Sequence, residues 1–129
     1  MILLDTHALL WLALDPAQLS KKAAAEIRKA SVDGSLVISA ITCWEVARLC
    51  ARKRLAFTGT VSSFVEKLTG LTTILPLTPA IAAVGAELPE EYPKDPADRI
   101  IGATALVHGI PLITKDVPIR RSRAIKTVW

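Results

Sequence analysis

The sequence predicts an α/β fold: a mainly parallel sheet covered on both faces by helices. Three observations lead there. Short apolar runs alternate with longer stretches of helical pattern, which implies right-handed crossovers between parallel strands. None of the short runs alternates polar with apolar residues, as expected of strands buried on both faces. The composition is globular, with 51% hydrophobic and 22% charged residues. A chain of 129 residues fits one domain, residues 1–129, with one sizeable core.

Residues 1–4 (MILL) read as the first strand. Residues 6–14 (THALLWLAL) follow as a helix, stopped by the Asp15-Pro16 pair. Residues 20–30 make a second helix, with Ser20 as N-cap and Ala, Lys, Glu and Arg inside; Gly34 closes that unit. Residues 35–39 (SLVIS) are the second strand. A third helix over 42–55 opens at Thr42, and a fourth over 60–70 has Thr60 as cap and Gly70 at its end.

Residues 72–77 (TTILPL) form a short strand. The helix over 78–89 has Thr78 as cap and Pro79 at its first position. Residues 95–109 repeat that grammar: Asp95 caps, Pro96 follows and Gly109 closes. Residues 110–116 (IPLITKD) are another strand, and 125–129 (IKTVW) a last, short one at an edge. There is no repeat, linker or low-complexity segment.

No apolar run approaches the roughly 20 residues of a membrane helix. No basic segment precedes the N-terminal apolar stretch as in a signal peptide, so the expected location is the cytoplasm. Cys43 and Cys50 lie two turns apart on one predicted helix, about 10.5 Å between Cα atoms, too far for a disulfide. They read as small core residues. The net charge of +4 suits an anionic partner such as nucleic acid.

In open parallel sheets, sites form beyond the carboxyl ends of the strands. Four acids fall at that level. Asp5 ends the first strand and Asp116 the 110–116 strand. Glu45 and Asp98 fall in the first turns of the helices that open at Thr42 and Asp95. Each has a bland explanation. Thr42 and Glu45 form a capping box, Asp98 complements a helix dipole, and Asp116 suits a turn. Asp5 is hardest to dismiss, because a carboxylate directly after a buried strand is costly.

Together they say more. Two unit charges 4 Å apart repel by about 4 kcal/mol at an effective dielectric of 20, against a net stability of about 5–15 kcal/mol. Protonation or a divalent cation relieves this. An all-oxygen set suits Mg²⁺ or Mn²⁺. Magnesium among carboxylates in a basic protein points to phosphodiester hydrolysis, with an unpaired acid free to take the proton of water.

Thr6 and Thr114 flank candidate ligands and can meet a phosphate, a bound water or a carboxylate. Arg99 is a candidate phosphate contact or an ordinary salt-bridge partner. His7 is read as orienting the first turn, and Trp11 and Trp44 as core or interface. Arg48, Arg52, Lys53 and Arg54 form one basic cluster; Arg120, Arg121, Arg123 and Lys126 form another. Such side chains bind phosphate with little sequence reading, or simply face solvent.

Five segments in register, LLDTHALLWL, ISAITCWEVA, DPADRIIGATAL, PLITKD and IKTVW, resemble the PIN-domain ribonucleases. The likeness is to VapC-type toxins of type II toxin–antitoxin systems, in the subgroup opening with Asp-Thr-His, and covers nearly the whole chain. It implies a three-layer α/β/α sandwich with about five strands, and RNA cleavage dependent on Mg²⁺ or Mn²⁺. It implies an acidic quartet of Asp5, Glu45, Asp98 and Asp116, with Asp5 and Asp98 the usual metal ligands. Thr114 matches the hydroxyl beside the fourth acid, and Asp95 a recurrent acid read here as a helix cap. It also implies a homodimer inhibited by a VapB-type antitoxin. The residues leave open a PIN-like nuclease of RNA maturation or of structured DNA, and a non-catalytic binding module.

Overall fold

The computed structural model describes residues 1–129. Its centre is a five-stranded, all-parallel sheet in the order β3-β2-β1-β4-β5. The strands are β1 (Ile2–Leu4), β2 (Leu36–Ser39), β3 (Thr73–Leu75), β4 (Leu112–Ile113) and β5 (Thr127–Val128). Seven helices flank them: α1 (Thr6–Leu14), α2 (Lys21–Val32), α3 (Ala40–Ala51), α4 (Val61–Thr69), α5 (Pro79–Glu87), α6 (Pro96–His108) and α7 (Val117–Ser122). A single 3-10 turn, Pro16–Gln18, follows α1. None of the helices is long and apolar enough to cross a membrane.

The period-2 geometry of a strand divides the core in two. Ile2 and Leu4 of β1, Leu36 and Ile38 of β2, and Ile113 of β4 join α1 to α4 in one cluster. The residues between them, Leu3, Val37 and Leu112, join Leu88, Tyr92, α6 and α7 in the other. Strands apolar on both sides therefore produce three layers, α1–α4, sheet and α5–α7, as the apolar runs predict.

Three sequence expectations are corrected. The third helix begins two residues early, because Ser39 rather than Thr42 caps it, its hydroxyl accepting the Ile41 N–H. Thr42 is inside that helix and fully buried. Glu45 accordingly lies beyond the first turn and belongs to no capping box. The 110–116 strand is paired only over Leu112–Ile113. Asp116 is the N-cap of α7, a helix the sequence reading left without an element. Gly70 ends α4 in right-handed backbone, φ −63°, without the left-handed turn of a glycine cap.

Three helices do end in one hydrogen-bonded pattern. After α2, Ser35 N–H reaches Ala30 C=O and Gly34 N–H reaches Ser31 C=O; after α6, Ile110 and Gly109 do the same to Ala105 and Leu106. After α3, Arg54 reaches Leu49 and Lys53 reaches Cys50. All three turns need a left-handed residue. Two have glycine, Gly34 at φ 65° and Gly109 at φ 63°, whereas the third has Lys53 at φ 56°.

Candidate active site

The order β3-β2-β1-β4-β5 has its switch point between β1 and β4, where the chain first winds one way and later the other. Ligands of open α/β sheets bind outside the carboxyl ends of the strands at such a point. Asp5 directly follows β1, and its N–H donates to Ile113 C=O of β4. Asp116 lies three residues beyond β4. The two acids therefore stand on either side of the switch.

Each is fixed locally. Asp5 Oδ1 caps α1 by accepting the Ala8 N–H at 2.7 Å. Asp116 Oδ1 caps α7 by accepting the Ile119 N–H at 2.9 Å. The fully buried Thr114 lies between them: its hydroxyl accepts the Asp116 N–H at 3.1 Å, and its proximity lowers the pKa of the Asp5 carboxyl. Glu45 projects from the second turn of α3 and accepts a hydrogen bond from Thr6, whose own Oγ1 lies 3.3 Å from Thr42 Oγ1. Asp98 is in the first turn of α6, with its N–H held by the Asp95 carboxylate at 3.0 Å. Asp95 is thus the cap that the sequence predicts.

Asp5, Glu45, Asp98 and Asp116 line one cavity of about 370 Å³, with Thr6, His7 and Lys115 also on its wall. Burial raises Asp5, opposed by hydrogen bonds from Thr114 and Ala8. Burial also raises Glu45, opposed by the Thr6 hydroxyl. Asp98 is pushed up to about 7, first by burial and then by the charges of Asp95, Glu45, Asp116 and Asp5. A carboxyl driven up by its acidic neighbours is the electrostatic signature of a cation site.

No three His, Cys, Asp or Glu side chains close into a ready-made cage. The donor chemistry still fits a hard cation. Mg²⁺ takes one or two carboxylates and keeps several waters, and an open wall of acid oxygens offers that. Neither cysteine belongs to it: burial pushes both thiols up, and Cys50 is in the core.

The PIN domain family model matches residues 2–123, nearly the whole chain. This chain belongs to the PIN-domain family. It is 37% identical over 130 residues to Ribonuclease VapC22 of Mycobacterium tuberculosis, covering 99% of this chain and 98% of that one. Among solved structures, it is similar to VapBC2 from Rickettsia felis bound to a promoter DNA fragment, with a TM-score of 0.74 and 14% identity over 99% of this chain and 98% of the other. FitAcB from Neisseria gonorrhoeae gives 0.72 and 23% over 100% and 97%. At those identities the two structures speak for the fold alone.

In this PIN domain Arg99 does not meet the cavity. Its guanidinium donates to the carbonyls of Gly85, Leu88, Pro89 and Tyr92 at 3.1–3.5 Å. With its donors engaged on the α5–α6 connection, it is a structural clamp rather than a phosphate contact. Trp44 is not core: the residue is 53% exposed and its ring faces the Arg48 guanidinium at 5.1 Å. Trp11 lines the cavity between His7 and Trp129, with Lys115 Nζ 5.6 Å above its ring. The second basic cluster divides, with Arg120, Arg121 and Arg123 around a separate depression beside Val117.

Sequence reasoning passed over two residues. Lys115 is on the cavity wall; its place between Thr114 and Asp116 was the available sign. Tyr92 is buried and donates its hydroxyl to Asp98 C=O at 3.0 Å. Nothing in its sequence neighbourhood marks it.

Proposed function

We propose that this PIN-domain protein is a divalent-metal-dependent endoribonuclease, the toxin of a type II toxin–antitoxin pair acting in the cytoplasm. One observation carries the reading: four acids spread over residues 5–116 line a single cavity, and the one most surrounded by the others is raised to about 7. The PIN model and the 37% identity to a named ribonuclease support it.

Asp5, Glu45, Asp98 and Asp116 would hold Mg²⁺ or Mn²⁺, which when bound supplies a Lewis acid for the phosphate and lowers the pKa of water. The chain's own groups do the rest. Thr114 fixes the backbone at Asp116, and the Asp5 N–H bonded to Ile113 C=O ties Asp5 to the same strand, so their spacing does not depend on substrate. Thr6 holds Glu45 from the neighbouring helix. Lys115 brings a cation to a wall otherwise acidic and can meet a phosphodiester oxygen. Asp98, raised to about 7 when no cation is present, would gain from a bound cation, which favours its ionised form.

The partner proposed is a VapB-type antitoxin, supported by the fold match to VapBC complexes; the resemblance to the VapC group also suggests a toxin homodimer. Purified protein is expected to cut single-stranded RNA with Mn²⁺ or Mg²⁺ and not in EDTA. Asp5→Asn should abolish cutting yet fold normally, because asparagine caps a helix as well as aspartate does. Equal cleavage in EDTA overturns the proposal.

A further inference from the structure

We infer that the depression beside the acidic cavity is a track for single-stranded RNA, with Arg48, Arg52 and Arg54 meeting phosphates and Trp44 stacking on a base. The choice of RNA rests on the nuclease reading; the track and its residues come from the geometry. The depression, about 410 Å³, is lined by those three arginines and shares Thr6, His7 and Glu45 with the acidic cavity. A strand held there adjoins the acidic cavity along the residues the two depressions share.

The α3 helix sets the spacing. Trp44, Arg48 and Arg52 fall at i, i+4 and i+8, on one face, each step rising about 6 Å. That step is comparable to the distance between successive phosphates of an extended strand. Arg54 is brought to the same wall by the left-handed turn at Lys53. The three arginines are exposed, so their charge is available to a partner. Against them stands Glu45, whose carboxylate is engaged by Thr6. The balance selects an anion.

Trp44 does not line the depression itself but stands beside it, its ring 5.1 Å from the Arg48 guanidinium, and it selects the kind of anion. An exposed indole held by a guanidinium is a preorganised platform, and base stacking is the sequence-tolerant mode of single-strand binding. Double-stranded RNA keeps its bases inside and offers Trp44 nothing.

The molecule supplies its own control. Lys53 carries the same charge as its neighbours but does not line the depression. The test is fluorescence anisotropy with a labelled 12-nucleotide single-stranded RNA, in EDTA so that the probe stays intact. Arg52→Gln with Arg54→Gln should weaken binding roughly tenfold or more and flatten the log Kd against log salt slope by about 1.4, at about 0.7 per phosphate of a single strand. Trp44→Leu should cost roughly tenfold with little change in slope. Lys53→Gln should bind as the unaltered protein does.

Equal loss from Lys53→Gln, no loss from the arginine pair, or arginine-dependent binding of an acidic peptide in place of RNA overturns the inference. Cleavage of the same RNA by the unaltered protein with Mn²⁺ is read separately. Absent cleavage with the predicted affinity pattern sinks the nuclease proposal and leaves the track. Cleavage with affinities indifferent to these arginines sinks the track alone.

Discussion

The hydroxyl of Thr6, on α1, donates to the carboxylate of Glu45, on α3, a residue 39 positions further along the chain. Two helices are tied at the level of the acidic cavity, and the tie also tunes an acid. Burial raises Glu45, and the Thr6 donor opposes that. Thr6→Val removes the donor, so Glu45 should hold its proton to higher pH. The acid limb of the pH–rate profile for RNA cleavage is expected to move alkaline, with activity at neutral pH falling about tenfold, the order of one hydrogen bond to a charged group. Thr6→Ser should restore both.

Asp98 predicts a stability gain from losing one acid of the cavity. Its carboxyl titrates at about 7 in the fold against 3.8 for an unperturbed aspartate. The native state therefore binds the proton more tightly than the unfolded chain. Without metal, that advantage is full below about pH 4 and is lost as pH rises through 7. Asp98→Asn should stabilise the protein in EDTA at pH 8 by about 1–2 kcal/mol, read as a higher Tm, once solvent screening of the half-buried carboxyl is allowed for. At pH 4 the two proteins should melt alike. The same substitution should end RNA cleavage.

Tyr92 and Gly102 are packed against each other so closely that α6 has no room for a side chain there. A Cβ at Gly102 would stand 2.6 Å from Tyr92 Cζ and closer still to its hydroxyl. Gly102→Ala should destabilise by about 1–3 kcal/mol, as overpacked cores do, read as a lower denaturation midpoint. Tyr92→Phe should cost about 1 kcal/mol through the lost bond to Asp98 C=O.

Lys53 is the lysine in a turn that elsewhere in this chain uses glycine. Left-handed backbone costs a side-chain-bearing residue roughly 1–2 kcal/mol. Lys53→Gly should raise stability by about 0.5–1 kcal/mol, since glycine's extra unfolded-state entropy offsets part of the relief. Thermal melts of the two proteins check this.

Much of this was legible beforehand because it depends on local chemistry. The stretches ILL (2–4) and LVI (36–38) are apolar and buried at every position, and only a sheet buried on both sides needs that. Caps at Ser20, Thr60, Thr78 and Asp95 announced four helices, and each side chain accepts the expected N–H. The misreadings arose where tertiary contacts outbid local rules. Thr42 followed by Glu45 has the spacing of a capping box, yet Ser39 opens the helix and Glu45 finds its donor on another element. Arg99 looks like a phosphate ligand beside Asp98, but four carbonyls brought near by the α5–α6 connection claim it. Helix α7 is six residues long, too short to carry a periodic pattern.

The first strand to be made is the middle strand of the sheet, flanked by β2 and β4. During synthesis, β1 and Asp5 leave the ribosome well before their second neighbour exists. At roughly 5–20 residues per second, about 6–20 s pass between the translation of Asp5 and that of Asp116. Throughout that interval the nascent chain has Asp5 and Glu45 without the wall that Thr114, Lys115 and Asp116 provide. The acidic wall of a growing polypeptide therefore stays incomplete until its last third is free to fold.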